Sequence, residues 1–168
     1  MSPQRTIVLN HQQIAQKIHR IAFEVVENNF NEEIYYIIGI TGQGYTLAER
    51  LFEEIKKVSG KKAELHSITL VKDDPLNGKI EVSVATEKLA GKYVLLVDDV
   101  LNSGRTLMYA ARNILEANVK KLQTVCLVDR RHRRFPIRAD FAGLTLSTTL
   151  QNHILVELNG ENDTAYLE

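Results

Sequence analysis

An α/β fold with a mostly parallel central sheet flanked by helices is predicted by three observations. Two apolar runs without alternation, 34–40 and 93–97, have the pattern of strands buried on both faces. Each run leads into a glycine-bearing loop, Thr41-Gly42-Gln43-Gly44 and Asn102-Ser103-Gly104, and then into a stretch with helical spacing. Strand and helix patterns alternate along the rest of the chain, as βαβ units require. No repeat or linker divides the sequence. With 168 residues, 44% hydrophobic and 25% charged, it makes one domain, 1–168, large enough for a core of its own.

Each element has its own signal. Asn10 is an N-cap for an amphipathic helix over 11–29, with Ile14, Ile18, Ile21, Ala22, Val25 and Val26 on one face. After the strand at 34–40, Leu47, Ala48, Leu51 and Ile55 mark a second helix, which Gly60 ends. Stretches 63–71 and 80–84 flank Asp73-Asp74-Pro75-Leu76-Asn77-Gly78. Asp-Pro and Asn-Gly are turn signals, so these stretches predict a hairpin. A strand over 93–98, a glycine loop and a helix over 105–117 follow. Strands at 122–129, 139–142 and 154–158 complete the chain.

Several classes are excluded. Twenty-one basic residues balance 21 acidic ones, so the chain is no globally basic nucleic-acid binder, although a local patch stays open. The apolar runs are too short to cross a bilayer, and the first residues lack a signal-peptide pattern, so a cytoplasmic protein with no membrane partner is expected. Cys126, the single cysteine, sits in an apolar strand and reads as a buried, inert thiol. His11, His19, His66 and His153 show no ligand spacing, so they build no metal site.

The chemistry lies in Tyr93-Val-Leu-Leu-Val-Asp98-Asp99-Val-Leu-Asn-Ser103-Gly104-Arg105-Thr106. A buried strand delivers two carboxylates to its carboxyl end, where open α/β sheets place ligands. The loop behind them opens a helix. Its amides and the positive end of the helix dipole suit a phosphate dianion, and Ser103 and Thr106 add hydroxyl donors. Gly104 lets the backbone approach the phosphate. Carboxylates repel phosphate but accept from vicinal hydroxyls and suit hydrated Mg²⁺. A ribose 5-phosphate has both features.

Residues 94–106 resemble the phosphoribosyl-pyrophosphate (PRPP) signature of type I phosphoribosyltransferases. Leu127-Val-Asp-Arg-Arg-His-Arg-Arg-Phe-Pro-Ile-Arg-Ala-Asp-Phe141 is similar to one subfamily, the bifunctional pyrimidine-operon regulators that are also uracil phosphoribosyltransferases. Leu70-Val-Lys-Asp-Asp74 and His19-Arg-Ile-Ala22 match it loosely. The resemblance implies that Asp98 and Asp99 bind the ribose hydroxyls and, through water and PRPP, Mg²⁺. It implies that Leu101, Asn102, Ser103, Gly104, Arg105 and Thr106 hold the 5′-phosphate. Thr41, Gly42, Gln43 and Gly44 fall on the pyrophosphate loop. A hood over the nucleobase is expected at about 128–150, with Val128, Asp129, Arg130 and Ile137 near the base. Arg20, His132, Arg133 and Arg138 match positions that meet RNA, and a homodimer or larger assembly is implied.

The sequence departs from the subfamily in four places. Gln43 stands where an arginine is usual, so pyrophosphate is not neutralised there. The hairpin at 72–80 is shorter than the family's mobile loop, and Lys72 replaces its catalytic arginine. Phe23 and Leu144 replace a histidine and a lysine, which weakens any RNA contact. The expectation is an enzyme that joins uracil to PRPP, giving UMP and pyrophosphate. The rivals are a nucleotide-sensing RNA-binding regulator with slight turnover, and a purine phosphoribosyltransferase.

Overall fold

The computed structural model describes residues 4–168. Strand β1 (Thr6–Leu9) precedes helix α1 (His11–Asn28), strand β2 (Ile34–Ile40), helix α2 (Gln43–Ser59), strand β3 (Lys62–Thr69) and strand β4 (Glu81–Val82). A short helix α3 (Thr86–Leu89) leads to strand β5 (Tyr93–Leu101), helix α4 (Arg105–Leu115), strand β6 (Lys121–Asp129) and strand β7 (Phe141–Thr145). Strands β8 (Ile154–Glu157) and β9 (Thr164–Leu167) end the described chain. Asn10 caps α1 by accepting from Gln13 N–H, and the Gln13 side chain accepts from Asn10 N–H in return. Gly60, at φ +64°, ends α2.

The central sheet has the order β4-β3-β2-β5-β6-β7. All its pairings are parallel except β3 with β4, where Ile68 faces Val82 and Thr69 faces Glu81. The expected hairpin is therefore present. Alternate residues of β2 and β5 feed two cores. Tyr35, Ile37, Leu95 and Val97 pack with α1 and α2, while Tyr36, Ile38, Val94 and Leu96 pack with α4. Cys126 lies in the second core, fully buried, and burial pushes its thiol far up from the ordinary range. The burial that its apolar strand implied is present, and such a thiol has little thiolate to react.

The chain ends differ from expectation. Residues 154–158 do not close the chain as a lone strand. They begin a separate three-stranded antiparallel sheet, β1-β9-β8, made from both ends of the protein. Ile154, Val156 and Ala165 pack into the core shared by α1 and α2, which makes this sheet continuous with the main body. Segment 128–150, expected to be a hood, holds the end of β6, an arginine-rich loop and the edge strand β7. Among the described residues, no helix is long and apolar enough to cross a membrane.

Candidate active site

From β2 the chain moves outward to β3, whereas from β5 it moves the other way to β6 and β7. The crevice between the carboxyl ends of β2 and β5 is thus the topological switch point, where open α/β sheets bind ligands. Loop 41–44 forms one wall, and the strand end and loop 98–106 form the other. The walls touch. A Cβ on Gly44 would lie 2.9 Å from Asp98 Oδ1 and 3.2 Å from the Val97 carbonyl oxygen. Below it, a Cβ on Gly39 would lie 2.7 Å from the Ala48 Cβ, so α2 sits unusually close to β2. Thr41 N–H donates to the Ile68 carbonyl at 3.0 Å, and its hydroxyl meets that of Thr69 at 2.6 Å, which pins the loop to β3.

Beside this contact lies a cavity of about 90 Å³, lined by Lys72, Asp98, Val100 and every residue from Leu101 to Leu107. Eight residues singled out in the sequence, Lys72 from the hairpin and the others from the end of β5, the loop after it and the start of α4, therefore converge on one space. Gly104 precedes α4 in the left-handed region at φ +88°, and Ser103 Oγ accepts from Arg105 N–H at 3.3 Å. The first intrahelical bond runs from Met108 N–H to the Gly104 carbonyl, so the amides of Thr106 and Leu107 have no intrahelical acceptor. Both residues line the cavity with the positive helix end behind them, an arrangement suited to cradle a phosphate.

Asp98 is buried, and its Oδ1 accepts from Asp99 N–H at 2.9 Å. Burial, and then the Asp99 charge, hold the Asp98 carboxyl well above the usual carboxylate range; Lys72 pulls it back. Asp99 is half-buried and lies outside the cavity lining. Among the described residues, no group of three or more His, Cys, Asp or Glu side chains could hold a metal ion alone. A divalent cation would fit only with oxygens from a ligand and water added to these carboxylates.

The arginine loop behaves differently from a solvated run. Arg130 is 7% exposed and donates to Thr148 Oγ1, Asn102 Oδ1 and the carbonyls of Thr149 and Asn152. Arg133 donates to the Asn102 carbonyl at 2.8 Å, the Ile137 carbonyl at 2.8 Å and Asp129 Oδ1 at 2.6 Å. Arg134 N–H and Phe135 N–H both donate to the Ser103 carbonyl. The loop is a brace behind the cradle. His132 Nε2 bonds the Thr148 carbonyl at 2.5 Å, and the Val128 side chain is wholly in the core. Arg20 donates to Glu24, to the Gly143 carbonyl at 2.8 Å and to the Ala142 carbonyl at 3.1 Å, so it ties α1 to the edge strand β7. Of the four residues matched to RNA contact, only Arg138 is exposed, and it has no side-chain partner among the described residues.

Two reasons given for the loop residues need correction. A Cβ on Gly104 would lie 2.7 Å from Ile137 Cγ2, so this glycine makes room for the arginine loop and not for a phosphate. Gly104→Val is therefore expected to destabilise the fold by about 1–3 kcal/mol. Thermal melts check it, and an unchanged Tm would show that Ile137 gives way freely. Gln43, read as a missing charge, has a partner within the fold. It is the first residue of α2, and its Oε1 accepts from Leu158 N–H at 2.8 Å, beyond the end of β8. No spacing in the sequence announces that contact. An apolar groove of about 490 Å³ follows the outer face of α4 between Leu76 and Phe135, but its lining has only Tyr109 and Arg112 as titratable groups. The residues singled out in the sequence line the smaller cavity instead.

The model of the phosphoribosyl transferase domain matches residues 4–159. A protein of Fusobacterium nucleatum named bifunctional protein PyrR is 34% identical over 177 residues, spanning 99% of this chain and 100% of that protein. Bifunctional protein PyrR of Bacillus mycoides is 35% identical over 167 residues, 92% of this chain and 91% of that one. Among solved structures, a hypoxanthine-guanine phosphoribosyltransferase of Bacillus anthracis aligns with TM-score 0.76 at 18% identity, covering 94% of this chain and 96% of its own. A Trypanosoma cruzi hypoxanthine phosphoribosyl transferase aligns with TM-score 0.77 at 16% identity, covering 97% and 91%. At these identities the structures speak for the fold alone.

Proposed function

Because this chain belongs to the phosphoribosyltransferase family, we propose that it transfers the ribose 5-phosphate of PRPP to uracil, giving UMP and pyrophosphate. The observation that carries this reading is the single cavity at the switch point, which joins Asp98, Lys72 and residues 101–106. The choice of uracil rests on the likeness of 127–141 to the uracil-using subfamily and on full-length relatives at 34–35% identity.

In this reading the 5′-phosphate binds the N-terminus of α4, and Asp98 and Asp99 accept from the ribose hydroxyls. A base nitrogen forms the new bond at C1 of the ribose as the bond to pyrophosphate breaks, through an oxocarbenium-like state. No general base is assigned. The protein's part is positioning and charge: Lys72, from the hairpin, lies beside Asp98 and brings a cation to the leaving side. Mg²⁺, held by Asp98 and Asp99 through water and PRPP, would neutralise the pyrophosphate. Val128, Asp129, Arg130 and Ile137 border the base only through main chain and bracing, since their side chains are engaged elsewhere. The resemblance also supports a homodimer or larger assembly.

A second reading, RNA binding, draws support from Arg131, Arg134 and Arg138, which are exposed. Arg20, Arg130 and Arg133 are committed to internal hydrogen bonds, so any RNA contact is weak and salt-sensitive. One experiment separates the readings. With PRPP and Mg²⁺, uracil should be converted, whereas hypoxanthine, guanine and xanthine should not. A structured leader RNA should lose affinity with a log–log salt slope near −0.9 per phosphate neutralised. Conversion of a purine alone would change the substrate, and tight RNA binding without turnover would reverse the order of the two roles.

A further inference from the structure

We infer that Gln43 is a positioning residue: through its hydrogen bond to Leu158 N–H, the sheet built from the chain ends holds the pyrophosphate loop against Asp98. The inference rests on reading the site as a PRPP pocket.

Leu158 is buried, and it leaves β8 just where strand pairing with β9 stops, after Glu157 faces Thr164. A buried amide needs an acceptor, and Gln43 Oε1 supplies it at 2.8 Å. If Gln43 swung toward a ligand, that amide would be orphaned. The neutral side chain is therefore committed to the fold and does not contact pyrophosphate.

A second clamp lies on the same face of α2. Arg50, seven residues on and two helical turns away, donates to Asp163, which is wholly buried. Asp163 also accepts from Asn159 N–H at 2.9 Å and Gly160 N–H at 2.8 Å, closing the turn that Leu158 begins. The β8–β9 turn thus grips α2 at Gln43 and at Arg50. The N-terminus of α2 is the loop whose Gly44 abuts Asp98, with room for no side chain. Displacement at Gln43 is passed directly to the wall of the crevice.

The test compares Gln43→Met, which keeps the length but removes the acceptor, with Gln43→Glu, which keeps an acceptor oxygen. In Gln43→Met, exchange of the Leu158 amide should quicken about tenfold or more, and PRPP affinity should fall about tenfold. UMP affinity should hold, since UMP makes no use of the pyrophosphate loop. Gln43→Glu should recover Leu158 protection, whatever repulsion its carboxylate adds toward pyrophosphate. Unchanged Leu158 exchange in Gln43→Met would overturn the inference. So would an equal loss of UMP and PRPP binding, which marks general destabilisation. A Gln43→Glu variant whose Leu158 amide exchanges as fast as that of Gln43→Met would overturn it too. If the unmodified protein binds neither UMP nor PRPP, the pocket assignment fails instead, and Leu158 exchange still reports the clamp.

Discussion

Asp98→Asn is expected to weaken PRPP binding ten- to a hundredfold while making the ligand-free protein more stable at pH 7. The lost affinity follows from replacing a charged acceptor with a neutral one, roughly 1.5–3 kcal/mol. The gain in stability follows from burial. Burial, joined by the Asp99 charge, raises the Asp98 carboxyl above its ordinary range, so the folded protein binds this proton more tightly than the unfolded chain does. That contribution is fully present below the unfolded-chain value, near about pH 4. It is lost as pH rises from there through the folded value, because the unfolded chain gives up this proton first. Asparagine removes the charge and keeps Oδ1 as acceptor for Asp99 N–H. The variant's Tm should exceed that of the unmodified protein at pH 7, by about 2–4 °C per kcal/mol relieved, and the two should converge toward about pH 4. A lower Tm at pH 7, or unchanged PRPP binding by calorimetry, would remove Asp98 from the centre of the site.

Arg130→Ala should be the most damaging substitution in the arginine loop. Its guanidinium is buried and serves four acceptors on two segments, Asn102 on one side and Thr148, Thr149 and Asn152 on the other. Burial pulls the guanidinium below its ordinary pKa, but the four hydrogen bonds compensate the charge. Removing it orphans acceptors and opens a void. The expected loss is about 2–4 kcal/mol, because Asn102 and Thr149 are exposed and can recruit water. That corresponds to a Tm lower by roughly 5–15 °C. Since Asn102 lines the cavity proposed for the 5′-phosphate, affinity for nucleoside monophosphates should fall as well. Arg131→Ala, at an exposed position in the same loop, should change neither. Equal melts for the two variants would contradict the brace.

Much of this was legible in the chain itself. The unbroken runs at 34–40 and 93–97 announced buried parallel strands because both their faces are covered, and β2 and β5 lie at the centre of the sheet. Capping and periodicity placed α1, α2 and α4 within a few residues. Asp98, residues 101–106 and Lys72 were singled out from the chain because they lie close along it or beside a turn signal, and the structure brings them to one cavity. Three elements escaped. Strands β1 and β9 are four residues each and derive their stability from pairing across the whole chain, and α3 is a single turn. Such elements have no periodicity to read.

The arginines show the same boundary. Composition said only that 130–138 is basic, and a basic loop is most often solvated. The structure divides the run into Arg130 and Arg133, spent on the cradle, and Arg131, Arg134 and Arg138, left to solvent. Gln43 likewise read as a missing charge, and proved to be a hydrogen bond to a residue 115 positions away. By itself the sequence determined the fold class and the order of acids, glycine and hydroxyls at the end of one strand, because these depend on neighbours along the chain. Which side chains are free to meet a ligand was decided only in three dimensions. A buried amide or carbonyl must find its partner wherever the fold brings one, and that partner is distant in sequence.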